Sequence, residues 1–151
     1  MQTQYMIEAL KEAEQAYLLD EVPIGAVIVR NDQIIARAHN TKEKEKNPLC
    51  HAEILAIDQA CKKIGDWRLE QCEMYVTVEP CLMCCGAILH SRLKKIVYGT
   101  ANPKFGYVES IKNVLTDPQN NHTVEVENGI CRDECQKLMT KFFESKRKIK
   151  G

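Results

Sequence analysis

The chain has 151 residues, which suits one domain with a substantial core, and its 44% hydrophobic and 28% charged residues are ordinary for a globular protein. Basic and acidic residues balance at 21 each, so the overall charge does not indicate a nucleic-acid binder. It contains no run of 18 apolar residues and no basic-then-apolar N-terminal pattern, so we expect a cytoplasmic protein with neither a membrane segment nor a secretory signal.

The N-terminal part of the chain predicts a helix followed by a hairpin. Apolar residues recur at helical spacing over 6–19, which indicates an amphipathic helix. Two short apolar stretches, 26–29 and 34–36, then flank the polar pair Asn31–Asp32. A polar pair between two apolar runs is typical of a β-hairpin turn.

The middle of the chain predicts a loop, two helices and a strand. The charged stretch 41–47 is expected to be a loop, and 52–64 a helix that stops at Gly65. Residues 74–78 are rich in β-formers and predict a buried strand, which Pro80 follows at the entry to a helix over 81–90.

The C-terminal part predicts two strands and a last helix. The strands are expected at 96–99 and 124–126, with an irregular region between them that holds a short helix near 111–115, and the last helix covers 132–148. Because strands alternate with helices, the chain is expected to form an α/β fold with helices on both faces of its sheet. We expect a single domain over residues 1–151, without repeats or a linker.

The last helix ends in a basic segment. From Lys137 to Lys150 there are six basic residues against one acid, Glu144. Such a segment could contact phosphate, or it could simply be a solvated helix end, where cations are favoured.

Two short motifs indicate a metal site. His51-Ala52-Glu53 and Pro80-Cys81-Leu82-Met83-Cys84 each open a predicted helix, where free N–H groups and the helix dipole favour thiolate. Cys81 and Cys84 share one helix face and can reach the same ion, with His51 as a third ligand. Three ligands leave the fourth position of zinc open for water, which is the catalytic arrangement. Glu53 is close enough in sequence to move protons at that water.

Other interpretations of these motifs depend on the remaining cysteines. The chain has eight cysteines and no secretory signal, which favours metal binding or free thiols over disulfides. A lone Cys-x-x-Cys could be a redox pair. A structural zinc site would need a fourth ligand, for which Cys50, Cys72, Cys85 and His90 are candidates.

The two motifs together resemble the zinc deaminase signature His-x-Glu with Pro-Cys-x-x-Cys. Over about residues 8–143 the chain is similar to the bacterial tRNA-specific adenosine deaminase family, within the cytidine deaminase superfamily. Matching stretches lie at 21–26, 38–40, 51–53, 67–69, 75–81, 121–122 and 142–143.

The resemblance implies a three-layer α/β/α cytidine deaminase-like fold with a mixed five-stranded sheet. It also implies a homodimer with one zinc ion per subunit and active sites near the subunit interface. The implied reaction is hydrolysis of the wobble adenosine of a tRNA anticodon to inosine and ammonia. An anticodon loop is already single-stranded, so moving its base into a pocket costs little.

The resemblance also assigns residues. His51, Cys81 and Cys84 are the metal ligands, and Glu53 is the proton shuttle. The substrate contacts that it implies are, for the base, Asn40, Ile24, Val78 and the Ala52 backbone N–H, and, for the RNA backbone, Asn102 and Lys104. The chain departs from the family at Cys85, usually a small residue, at Asn102, often aspartate, and at 105–109, usually richer in glycine.

Two alternative functions share the same motifs. One is a deaminase of a free nucleobase or nucleoside, of guanine or cytosine/cytidine type. The other is a zinc-stabilised RNA-binding module without catalysis, which would have no use for Glu53.

Overall fold

The structure is a computed structural model that describes residues 1–150, and in them it contains five helices and five strands. In chain order these are α1 (Gln2–Leu18), β1 (Gly25–Arg30), β2 (Gln33–His39), α2 (Lys42–Glu45), α3 (Ala52–Ile64), β3 (Cys72–Val78), α4 (Leu82–His90), β4 (Lys95–Thr100), β5 (Glu125–Asn128) and α5 (Arg132–Lys150).

The strands form one mixed sheet in the order β2-β1-β3-β4-β5. β1 pairs antiparallel with β2 and with β3, whereas β3, β4 and β5 run parallel to one another. The carboxyl ends of the three parallel strands therefore lie at the same edge, where α/β proteins commonly place their sites. The expected mixed five-stranded sheet is confirmed.

Helices cover both faces of the sheet because side chains alternate along each strand. On one face Val27, Tyr75 and Val97 pack with α1 and with Cys135 of α5. The neighbouring residues along the same strands, such as Ile28 and Met74, face the other side of the sheet and pack against α3 and α4. The sheet is thus the central layer of the expected three-layer α/β/α fold.

Turn and cap residues match the expected boundaries. Asn31 and Asp32 have φ of 51° and 60°, as a tight hairpin turn between twisted strands requires. α3 ends at Gly65, which has φ of 71° and adopts the left-handed conformation that glycine accommodates most easily.

Two local expectations were wrong, and tertiary hydrogen bonds explain both. The stretch 41–47 contains the short helix α2, because the buried carboxylate of Glu21 accepts the backbone N–H groups of Glu43 and Lys44 at 3.0 and 2.7 Å. Residues 111–115 form no helix, because their backbone groups bond outside the segment: the N–H of Val114 donates to the carbonyl of Tyr107, and the carbonyl of Leu115 accepts the N–H of Val124.

The basic C-terminal helix is partly used inside the protein. The ammonium of Lys146 lies 2.5 Å from a carboxylate oxygen of Asp20, and that of Lys141 lies 5.0 Å from the centre of the Tyr17 ring. Both contacts fasten α5 to the end of α1. Among the helices of residues 1–150, none is long and apolar enough to cross a bilayer.

Candidate active site

Two helix N-termini meet at the candidate metal centre. His51 is the N-cap of α3 and Cys81 the N-cap of α4, with Cys84 one turn further into α4. His51 Nδ1 lies 3.7 Å from Cys81 Sγ and 3.5 Å from Cys84 Sγ. The three ligand atoms all fall within 4.8 Å of one another. The fold therefore brings His51 to two cysteines that lie 30 and 33 residues further along the chain.

The donor set has the chemistry of a zinc site. A hydrogen bond from the Cys84 thiol, together with His51, holds the pKa of Cys81 at about 4, while the same bond and burial raise the pKa of Cys84. The two sulfur atoms thus compete for one proton, because two adjacent thiolates repel each other. A divalent cation bound by both sulfur atoms would offset the repulsion between two thiolates. One imidazole with two thiolates is a common zinc ligand set.

The other cysteines near this centre are directed elsewhere. Within residues 1–150, the cluster of potential ligand atoms holds His51, Cys81 and Cys84 alone. Cys85 points its thiol at the carbonyl of Pro80, 3.7 Å away, and Cys50 is buried outside the cluster. The part of the chain that the structure describes thus offers no fourth protein ligand for a closed structural site.

Glu53 is a buried carboxylate beside the candidate ligands. Its side chain is 3% exposed, and its Oε1 has no hydrogen-bond partner among the described residues. Burial raises its pKa to about 7. A buried carboxylate oxygen without a hydrogen-bond partner lowers the stability of the protein. Its presence therefore indicates a group that is kept for function.

The candidate base pocket lies where the residue after β2 meets the first residue of α3. Asn40 is buried, and its Oδ1 accepts the backbone N–H of Ala52 at 2.8 Å. The backbone N–H of Asn40 donates to the carbonyl of Ile24, 3.2 Å away. Val78 ends β3 and is buried. The structure therefore places Asn40, Ile24 and Ala52 side by side, and it engages the Ala52 N–H with Asn40.

Glu79, which no sequence motif marks as functional, organises the edge of the site. Its carboxylate is 2% exposed and accepts the backbone N–H groups of Asn102, Val108, Glu109 and Ser110 at 3.0, 3.1, 2.8 and 2.9 Å, and also the Ser110 hydroxyl. Burial raises its pKa, but these hydrogen bonds outweigh burial and hold the pKa below its usual value. A glutamate directly before Pro80 gives no sign of this role in sequence.

We call residues 102–110 the Glu79-bound loop. Gly106 lies against the carboxylate: a Cβ there would be 2.3 Å from Glu79 Cδ and 2.7 Å from the carbonyl oxygen of Asn102. The Asn102 Oδ1 accepts the N–H of Phe105 at 3.3 Å, and Lys104 is exposed. The loop therefore holds Asn102 and Lys104 next to the segment that carries Cys81.

Known deaminases resemble this chain in sequence and in fold. The family model described as MafB19-like deaminase matches residues 1–147. The tRNA-specific adenosine deaminase of Bacillus subtilis (strain 168) is 49% identical over 146 residues, which cover 97% of this chain and 91% of that protein. The tRNA-specific adenosine deaminase of Streptococcus pyogenes serotype M1 is 45% identical over 149 residues, with 99% and 87% covered.

A solved structure from a study of A-to-I editing by tRNA:A34 deaminases at the wobble position of transfer RNA superimposes with a TM-score of 0.87. Its sequence is 40% identical, and the match covers 90% of this chain and 99% of that one. A guanine deaminase from Nitrosomonas europaea also superimposes, with a TM-score of 0.81, but at 23% identity this likeness speaks for the fold alone.

Proposed function

The chain belongs to the tRNA-specific adenosine deaminase family. We propose that it converts the wobble adenosine of a tRNA anticodon to inosine by hydrolysis, with release of ammonia. The observation that carries this proposal is the cluster of His51, Cys81 and Cys84 beside the buried carboxylate of Glu53, whose Oε1 has no hydrogen-bond partner among the described residues. Neither a redox pair nor an RNA-binding module needs such a carboxylate, whereas a hydrolytic deaminase does.

We propose that His51 Nδ1 and the sulfur atoms of Cys81 and Cys84 hold one zinc ion in each subunit. The approach of the three ligand atoms to within 4.8 Å of one another supports this assignment, as does the lack of a fourth ligand in the described part of the chain. When bound, zinc supplies Lewis-acid activation of the water that hydrolyses the substrate.

Glu53 is proposed to move the protons of the reaction. The carboxylate takes a proton from the attacking water and delivers it to the ring nitrogen next to the reacting carbon, and then assists the departure of ammonia. Its burial and its free Oε1 support this role, because no protein donor competes for that oxygen among the described residues. A positioned acid–base group of this kind typically contributes about 10²–10⁴-fold to the rate.

Asn40, Ile24, Ala52 and Val78 are proposed to hold the adenine base. Since Asn40 Oδ1 is engaged by the Ala52 N–H, the side chain is oriented by the backbone of α3 and has its NH₂ group left to donate to a purine nitrogen. The Ala52 N–H acts in this proposal through Asn40. Ile24 and Val78 supply apolar surface against the faces of the base.

Asn102 and Lys104 are proposed to contact the RNA backbone. Lys104 is exposed and forms no ion pair with any residue that the structure describes. Its ammonium is therefore available to phosphate. Asn102 is neutral and does not repel phosphate, although part of its polar surface is used inside the Glu79-bound loop.

The protein is further proposed to act as a homodimer through α4. This helix is apolar from Leu82 to Leu89, and Leu82 is 54% exposed. A helix that is hydrophobic all round is normally buried, and in this subunit the outer side of α4 is not.

We expect sedimentation velocity to find a dimer for the wild type and a monomer for Leu82→Glu. The exposed Leu18 of α1 provides the control, because Leu18→Glu should leave the dimer intact, and a monomeric wild type would contradict the proposal.

The function is tested with an anticodon stem-loop that carries adenosine at the wobble position. We expect purified protein to produce inosine, read by sequencing as an A-to-G change, and to leave free guanine, cytidine and adenosine unchanged. The variant Glu53→Ala should retain zinc and RNA binding and lose at least about 100-fold in deamination. Turnover of a free base without inosine in the stem-loop would contradict the tRNA substrate, and loss of zinc in Glu53→Ala would show that Glu53 is a ligand.

A further inference from the structure

Phe105 is a large aromatic side chain that the protein presents to solvent. It is 64% exposed, while the next residue, Gly106, is buried. Single exposed apolar residues are common on protein surfaces and carry no meaning by themselves. The position of Phe105 therefore has to be judged from how it is held and from what lies next to it.

The backbone of Phe105 is fixed at both ends of a tight turn. Its N–H donates to Asn102 Oδ1, and the N–H of Gly106 donates to the Asn102 carbonyl at 2.7 Å. On both sides of this turn, Glu79 accepts backbone N–H groups of the Glu79-bound loop. Gly106 has no space for a Cβ, so the loop packs closely on the carboxylate. The aromatic ring is thus attached to an ordered loop, so less conformational entropy of the loop is lost when a partner binds.

The same turn is tied to the candidate active site. The N–H of Tyr107 donates to the carbonyl of Pro80 at 3.0 Å, and the N–H of Asn102 donates to Glu79. Glu79 and Pro80 directly precede the metal-ligand candidate Cys81. Phe105 is therefore carried at the rim of the site and not on a remote surface.

The neighbouring charges favour an anionic partner with flat rings. Lys104 is exposed and without an ion pair among the described residues, and Asn102 adds no negative charge. An exposed aromatic ring beside a lysine is the combination with which proteins bind single-stranded nucleic acid, because the ring stacks on a base while the cation meets the phosphate.

We propose that Phe105 stacks on a nucleobase directly adjacent to the target adenosine in the anticodon loop, with Lys104 on the phosphate of that nucleotide. The inference rests on the proposed function and adds to it a residue that binds the nucleotide next to the target. When the target base is splayed into the pocket its neighbour loses a stacking partner, and the Phe105 ring replaces it.

The test compares KM and kcat of the zinc enzyme and of Phe105→Ala, Phe105→Leu and Phe105→Tyr on the anticodon stem-loop. Two further stem-loops carry an abasic residue in place of the 5′ or the 3′ neighbour of the target. Base–aromatic stacking predicts an increase of about 5- to 150-fold in KM for Phe105→Ala, with kcat within about twofold. Phe105→Tyr should behave as wild type, and Phe105→Leu should resemble Phe105→Ala. On one of the two abasic substrates, wild type and Phe105→Ala should have the same KM.

Several outcomes would overturn the inference. These are an unchanged KM for Phe105→Ala on the intact stem-loop, an equal penalty on both abasic substrates, or full activity of Phe105→Leu, which would indicate apolar packing. A change of oligomeric state in Phe105→Ala, seen by sedimentation, would assign the ring to a subunit contact instead. An active wild type with any of these results contradicts this inference alone, whereas a wild type that forms no inosine contradicts the proposed function as well.

Discussion

Replacing Glu79 by glutamine should cost the protein much of its stability, although the two side chains have the same shape. Five donors converge on the carboxylate, two on Oε1 and three on Oε2. A glutamine keeps one oxygen, so at least two donors would face its NH₂ group. The Ser110 hydroxyl can rotate and accept, but the Asn102 N–H cannot, and an unsatisfied N–H costs about 1–3 kcal/mol.

The three remaining hydrogen bonds would also weaken, because their acceptor loses its charge. Bonds to charged groups contribute about 1.5–3 kcal/mol and neutral ones about 0.5–1.5 kcal/mol, a loss of about 1 kcal/mol each. Glutamine regains some free energy because no charge is buried, so we expect a net loss of about 4 kcal/mol for Glu79→Gln. The matched control is Glu21→Gln, which has two donors from exposed residues and should lose about 1–2 kcal/mol.

The assay is urea unfolding of the zinc-loaded protein at several pH values. Hydrogen bonds hold the pKa of Glu79 below its unfolded value of about 4.3, so its stabilisation is present above that pH and is lost as the pH falls through the folded pKa. The difference between wild type and Glu79→Gln should therefore be largest near neutral pH and shrink below about pH 4. A loss for Glu79→Gln no larger than that for Glu21→Gln, or one independent of pH, would refute the reasoning.

Three more changes test neighbouring parts of the site. Gly106→Ala should lower the free energy of unfolding by about 1–3 kcal/mol, measured by urea, because its Cβ would press on Glu79, and an unaltered midpoint would contradict the close packing. Asn40→Asp keeps the acceptor for the Ala52 N–H but lacks the NH₂ donor, so kcat/KM should fall about 10-fold while zinc content stays constant. Cys84→Ser should lose bound zinc, measured by elemental analysis, and a chelator should lower the melting temperature of the wild type but not of this variant.

The regular elements could be predicted from sequence because their signals are local. The hairpin turn at Asn31–Asp32 and the helix stop at Gly65 depend on φ preferences of the residues themselves. The alternation of side chains along the strands follows from the same local geometry, and it decided which residues face each helical layer.

Buried carboxylates account for most of what could not be predicted. Glu21 turns part of a charged stretch into α2, and Glu79 draws 102–110 into a turn. Each accepts N–H groups from residues more than 20 positions away, so neither leaves a periodic pattern in the sequence. Composition alone assigns such glutamates to the surface, since they are rarely fully buried.

The same contrast separates the two halves of the candidate site. The candidate metal ligands could be singled out because zinc dictates residue type and spacing, and the structure brings both motifs together at two helix starts. The proposed base pocket follows no such code: the hydrogen bond between Asn40, which follows β2, and Ala52, which begins α3, decides which polar group of Asn40 remains free. Substrate choice is therefore best tested at the contact between the end of β2 and the start of α3 and at the Glu79-bound loop, because the candidate metal centre accounts for the type of reaction and these two places carry the residues proposed to contact the RNA.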